Sequence, residues 1–422
     1  MDTDTFMRTL LDRPWLLHTV QGLLSGCVAA VSCFSPSLKP PPRRPLVTAE
    51  DFLKTCGRYV KNKSGRGERI FLRGTNAGGW LVHEEWMCPT QARDTKTIRD
   101  TLAERFGPQK RDALMDVYRD AYWTEQDFDN CAQLGMTCLR LPFAYWDIAD
   151  DEGSILPDGF ARLDWFVDNC ARRGIYVILD LHGAYGSQNG KHHSGQVNDG
   201  RQLYYDDANR ARTLRLWQAI AAHYNGNPAV AGYDLLNEPE NDTGHTGPMQ
   251  WDYYGELYQA IRAVDPDHII FIEACWEPRD LPRPARYGWK NIVYEYHHYS
   301  WDAQSVEGVT LHAASNALWE YLAFRVPILN GEFTCFGKDA AWRNSLRIYN
   351  RLNFHWTTWT YKVTGKSPNG DPHWGIYEQQ DVEQKLDIQT ASEEEVRAAW
   401  GKVGTENAVA TRLGGILEEY LK

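Results

Sequence analysis

The stretch "LDWFVDNCARRGIYVILDLHG", residues 163–183, holds the fold in miniature. Leu163, Phe166, Val167 and Cys170 recur at helical spacing, and Gly174 ends the pattern. The run after it, 175–183, is apolar almost without interruption and closes on His182. A strand that does not alternate is buried on both faces, as in a parallel sheet covered by helices.

The same unit recurs along the chain. Apolar runs stand at 70–76 (IFLRGTN), 137–143 (TCLRLPF), 175–183, 229–239 (AVAGYDLLNEP), 268–274 (HIIFIEA), 292–299 (IVYEYHHY), 326–333 (VPILNGEF) and 354–361 (FHWTTWTY). Helical stretches intervene, for instance "ARTLRLWQAIAAHY" at 211–224, closed by the turn "NGNP". Eight such units predict an α/β fold, a (β/α)8 TIM barrel, whose usual size is about 250 residues plus insertions. The rival is a doubly wound open sheet, but no glycine-rich phosphate loop follows the first strand. A short hairpin turning at Ser64-Gly65 is expected before the barrel. No internal repeat or second domain is visible, so residues 49–422 read as a single barrel domain.

Residues 1–48 differ from the rest. Arg8 and Arg13 precede an apolar stretch at 16–34, followed by the proline-rich "SPSLKPPPRRP". This extension is expected to lie outside the fold, as an export signal or a disordered segment. It is too interrupted for a transmembrane helix, so no stable membrane insertion is expected. Extracellular or cell-envelope placement follows from the export reading, with the cytoplasm as the alternative.

The 422 residues are 43% hydrophobic and 24% charged, which allows a sizeable core and excludes wholesale disorder. A net charge of −11 argues against nucleic acid or an anionic membrane as partner. Among the aromatics, 17 Trp and 22 Tyr, tryptophan exceeds what a core alone requires, and flat sugar faces are one natural use for it. Nine cysteines show no CxxC pair and no Cys/His cluster at zinc spacing, so no metal site is expected. Cys138 and Cys170 lie in apolar surroundings and read as small buried hydrophobes.

Barrel enzymes build their sites at the C-terminal ends of the strands. Those ends carry Asn76, Arg140, His182, Asn237 with Glu238, His297 with Tyr299, Glu332 and Trp359, so seven of eight strands contribute. Two carboxylates on separate strands facing one cleft are the minimum equipment for glycoside hydrolysis. Arg140 is expected to hold one of them ionised, leaving the other free to carry a proton. Glu240, Glu273 and Glu277 are rival acids, Glu273 foremost because it too ends a strand. Alternation along the strand puts His297 and Tyr299 on one face and His298 on the other, in a second layer or the core. The histidines of "KHHSG" are read as a solvated loop pair rather than as metal ligands.

In order, "LRLPF", "DLHG", "LNEP", "HHY", "GEF" and the Trp of "TTWTY" resemble the motifs of glycoside hydrolase family 5, the cellulase-type family of clan A, over roughly residues 58–380. The resemblance implies a retaining double displacement with Glu238 as acid/base and Glu332 as nucleophile. It implies that Asn237 binds the sugar 2-hydroxyl and that Arg140 and Tyr299 orient Glu332. It casts His182 and His297 as lining the cleaved-sugar subsite and Trp359 as the platform beneath it.

The loop "LHGAYGSQNGKHHSG" and the segment "NAGGWLVHEEWM" resemble the family's exo-β-1,3-glucanase branch, with Tyr185 in place of the proline usual there. The implied partner is a β-glucan or β-linked oligosaccharide, cleaved at β-1,3 or β-1,4 bonds by a monomer that needs no cofactor. The alternatives are a glucosylceramide- or steryl-glucoside-cleaving glycosidase and a non-catalytic carbohydrate-binding barrel. Trp80, Trp86, Trp146, Trp276, Trp301 and Trp374 are candidates for sugar stacking.

Overall fold

The computed structural model describes residues 22, 23, 26, 45–198, 202–299, 306–365, 374–379 and 385–422. Trp301 and most of the 1–48 extension, with Cys27 and Cys33, lie outside the described residues. Eight parallel strands form a closed barrel in chain order. They are β1 (Arg73–Asn76), β2 (Cys138–Ala144), β3 (Tyr176–Gly183), β4 (Val230–Asp234), β5 (Ile269–Glu273), β6 (Ile292–His298), β7 (Ile328–Phe333) and β8 (His355–Thr358). Each coincides with one of the eight apolar runs, and β8 closes on β1 through the pairs Trp356–Arg73 and Thr358–Thr75.

Helices cover the outside as expected, including Ala161–Ala171 and Asp207–Tyr224. One crossover differs. Between β5 and β6 the chain makes only the short 3-10 turns Pro278–Asp280 and Pro284–Arg286. Three prolines, at 278, 282 and 284, remove backbone donors that a helix there needs.

The hairpin before the barrel pairs Lys54–Cys56 with Tyr59–Lys61, so it turns at Gly57-Arg58 and not at Ser64-Gly65. Gly57 takes a φ of 59°, which only glycine adopts at no cost. Ser64-Gly65 instead belongs to a looser reversal with a single bridge, Lys61 to Arg69. Asn62 closes it by accepting the Glu68 N–H at 2.7 Å.

Two irregularities interrupt the barrel near its mouth. The pairing of β6 with β7 steps from Asn330–Tyr296 to Glu332–His297, leaving a bulge at Gly331. Between β2 and β3 it steps from Phe143–Leu181 to Ala144–Gly183, leaving one at His182. A bulge bends its strand and re-aims the neighbouring side chains. Gly331 is required for a second reason: a Cβ there would sit 1.7 Å from Glu295 Oε1.

Candidate active site

β4 ends at Asp234, but the chain stays pinned for several residues more. Trp217 of the covering helix donates its indole N–H to the Leu235 carbonyl at 3.0 Å. Asn237 N–H donates to the Leu181 carbonyl at 3.2 Å. Gln188 and Asn189, from the loop after β3, donate to the carbonyls of Asn237 and Glu238 at 2.8 and 3.2 Å. Held in this way, Glu238 adopts the left-handed region with a φ of 44°. That conformation costs a non-glycine residue roughly 1–2 kcal/mol, and it turns the carboxyl group over the barrel mouth.

Arg140 of β2 is fully buried at the barrel centre and is shared by five acids. Its guanidinium lies 3.1 Å from Asp180, 2.8 Å from Asp234, 3.7 Å from Glu273, 3.2 Å from Glu295 and 2.8 Å from Glu332. It also donates to Asn76 Oδ1 at 3.1 Å and Asn237 Oδ1 at 2.9 Å. Burial works against its charge, and Asp180, Asp234, Glu295 and Glu332 more than restore it. One cation cannot neutralise five anions. Burial therefore drives Asp234 and Glu273 well above the ordinary carboxylate range and Glu295 up to about 7.

Glu332 receives Arg140 on Oε1 and the Tyr299 hydroxyl on Oε2, each at 2.8 Å. Burial still pushes its carboxyl up to about 7, with Glu238 adding to the rise and His297, Arg140 and Tyr299 opposing it. Glu238 is placed differently. His297 Nδ1 lies 2.8 Å from its Oε1 and His193 Nε2 lies 3.0 Å from its Oε2. Burial raises its pKa, but the two imidazoles, His193 foremost, hold it well below the usual range. Burial would also strip His193 of its proton, yet Glu238 raises that group to about 9. The expectation that Glu238 stands without a partner is corrected here: the imidazoles of His193 and His297 both face it.

The acids come close together. One oxygen of Glu238, one of Glu332 and a nitrogen of His297 all lie within 4.8 Å of one another. A cavity of about 750 Å³ opens above them, lined by His182, Asn237, Glu238, Tyr299, Glu332 and Trp359 among others. Arg140 and His297 lie just beneath, behind the carboxylates. His182 donates its Nδ1–H to Asp180 Oδ2 at 2.7 Å and stacks on Trp359 with ring planes 4° apart.

Of the sugar-stacking candidates, Trp86, Trp276 and Trp374 line this cavity. Trp80 is packed in the core against Phe166, and Trp146 packs on Tyr145 away from the opening. His298 stacks on His312 behind the strand, as alternation requires. Of the rival acids, Glu273 is buried below Arg140, Glu240 pairs with Lys191, and Glu277 faces His312. Cys138 and Cys170 are fully buried.

Sequence reasoning missed four groups. Asp180, Asp234 and Glu295 sit inside runs that read as apolar strand, and a single acid in such a run was their only signal. The fourth is His193. The "KHHSG" pair is not simply solvated: the loop after β3 folds over the mouth, bringing His193 to Glu238 and His192 to Glu84 at 3.0 Å.

Comparison with known proteins bears on the family and the fold. The profile of the cellulase family, glycosyl hydrolase family 5, matches residues 95–365. A beta-xylosidase of Phanerodontia chrysosporium is 30% identical over 345 residues, covering 74% of this chain and 71% of that protein. A probable glucan 1,3-beta-glucosidase A of Aspergillus fumigatus is 30% identical over 247 residues, and the match spans 57% of this chain and 59% of that protein. Among solved structures, rutinosidase from Aspergillus niger superposes with a TM-score of 0.57 at 18% identity, covering 71% of this chain and 91% of that one.

Proposed function

The chain belongs to the cellulase family, glycosyl hydrolase family 5, and is a glycoside hydrolase; from that premise we propose that it cleaves β-glucosidic bonds of β-glucans with retention of configuration. Glu332 attacks the anomeric carbon, and Glu238 protonates the departing oxygen and later deprotonates water. The observation that carries this reading is the approach of the two carboxyl groups, whose nearest oxygens lie within 4.8 Å. An inverting enzyme leaves about 6.5–9.5 Å for a water between its carboxyls, and a retaining one only about 5–5.5 Å.

The supporting residues fall into roles. Arg140 and Tyr299 point donors at Glu332, which steadies the negative charge of the attacking form. Asn237, whose Oδ1 is taken by Arg140, keeps its amide N–H2 for the sugar 2-hydroxyl. Trp359 and His182 form a flat floor on which a glucose ring stacks. The names of the relatives favour β-linked glucose or xylose, and of the two we choose glucan because several of them are probable glucan 1,3-beta-glucosidases. Among the described residues no helix is long and apolar enough to cross a membrane. A polymeric substrate places a monomeric enzyme outside the cell or in its envelope, with the apolar 16–34 stretch as the export signal.

The test uses an aryl β-glucoside and then laminarin, lichenan and a soluble cellulose derivative. Release of chromophore, with the β-anomer appearing first in proton NMR, is the expected result. No release from any of them returns the chain to the non-catalytic reading, and an α-anomer first overturns the double displacement.

A further inference from the structure

At the rim of the cavity, Glu84, His192 and His193 bring one carboxylate oxygen and two imidazole nitrogens within 4.8 Å of one another. We propose that these three residues form a binding site for a divalent transition cation of the zinc type, and that its occupancy inhibits the enzyme.

The donor chemistry selects the class. Two imidazoles and a carboxylate, with a fourth position open, is a ligand set that zinc takes in sites that keep a free coordination position. Imidazole nitrogens also favour zinc, copper, nickel and cobalt over magnesium or calcium, which take oxygen ligands. The spacing is suitable. Zinc bonds of about 2.0–2.1 Å at tetrahedral angles put ligand atoms roughly 3.3 Å apart, and His192 Nε2 already stands 3.0 Å from Glu84 Oε2. The remaining gap is closed by small rotations of side chains on a loop.

Glu84 is also held from outside the trio: Trp86 donates its indole N–H to Glu84 Oε2 at 2.9 Å. Access is open at His192. The His192 side chain is 47% exposed, whereas that of Glu84 is 10% exposed. Lys191, next to His192 in the chain, is engaged by Glu240.

The consequence for turnover comes through His193, which stands 3.0 Å from Glu238 Oε2. A cation that takes this imidazole removes a partner from Glu238 and narrows the entrance through which the sugar passes. This inhibitory effect rests on the glycosidase reading; the binding of the metal does not.

The experiment titrates zinc chloride into the full chain, freed of metal by chelation and buffer exchange, and follows heat by calorimetry. Cobalt chloride is added in parallel and its visible absorption recorded. Saturable binding of one zinc per chain is expected, with the cobalt bands of a four-coordinate site. His192→Ala and Glu84→Gln, each shown to be folded by thermal melting, are expected to bind at least about tenfold more weakly. Zinc should inhibit hydrolysis of an aryl glycoside, a chelator should restore it, and the inhibition constant should rise in His192→Ala by the factor seen in binding. No saturable binding, or equal affinity in both variants, overturns the site. Binding without inhibition overturns the coupling to Glu238. Binding in a chain without hydrolytic activity supports the site and counts against the glycosidase reading alone.

Discussion

Nε2 of His193 stands 3.0 Å from Oε2 of Glu238, and this contact moves the resting proton off the carboxyl group onto the imidazole. Two groups coupled so closely titrate as a pair, and the proton that an enzyme needs as general acid belongs to both. In the proposed mechanism the glycosidic oxygen approaches Glu238, whose carboxyl delivers that proton and draws on His193.

The basic limb of the kcat/KM profile reports loss of that last proton from the free enzyme. With His193 present it leaves at about 9. In His193→Asn it must leave from Glu238 alone, at lower pH, so the limb should shift downward. A limb that stays in place or moves up removes His193 from the acid's machinery.

The two acids should separate by rescue. Glu332→Ala loses nearly all turnover on every substrate, because no covalent intermediate can form. Glu238→Ala loses roughly 10²–10⁴-fold on substrates with poor leaving groups, loses least where the leaving group needs no proton, and recovers partly with azide. Azide rescue of Glu332→Ala with a β-glycosyl azide as product would exchange the roles.

Arg140 bears on stability before it bears on rate. Removing one partner of a buried ionic cluster costs about 3–5 kcal/mol, since the remaining charge is left uncompensated. Arg140→Met should therefore show that loss in urea unfolding, and adding Glu273→Gln or Glu295→Gln should recover part of it. If Arg140→Met unfolds like the parent chain, the five acids do not depend on this cation.

Buried neutral histidines should make the protein acid-sensitive. His355 accepts the Leu72 N–H at 3.0 Å through Nδ1, and burial and Arg73 lower its pKa to about 3. Below the unfolded value near 6.5 the unfolded chain binds a proton that the folded chain refuses, so stability is full above about 6.5 and falls with pH down to about 3. At pH 5 the loss is about 2 kcal/mol for this residue. His355→Asn keeps an acceptor without a titrating nitrogen, so unfolding free energies at pH 7 and 5 should differ by about that much less.

Much of the molecule was legible in the chain. The barrel could be read because strands buried on both faces, such as 175–183, cannot alternate, and because their polar ends fell in one place. The main residues of the mouth, Glu238 and Glu332 among them, came from that same rule. The buried acids did not. Nothing local distinguishes Asp180 in "VILDLHG" from an acid at a strand's solvent end, since its partner Arg140 comes from another strand. His193 was misread for a similar reason: its partner lies 45 residues on, across a loop whose path only the fold determines.

Asp234, Glu273 and Glu295 around Arg140 make assembly of this barrel a chemical reaction with the solvent. In the extended chain, Asp234, Glu273 and Glu295 give up their protons well below neutral pH; inside the closed barrel they hold them more tightly. Folding near neutral pH thus consumes hydrogen ions as a reactant, and a weakly buffered solution in which the chain refolds should turn alkaline as the strands close.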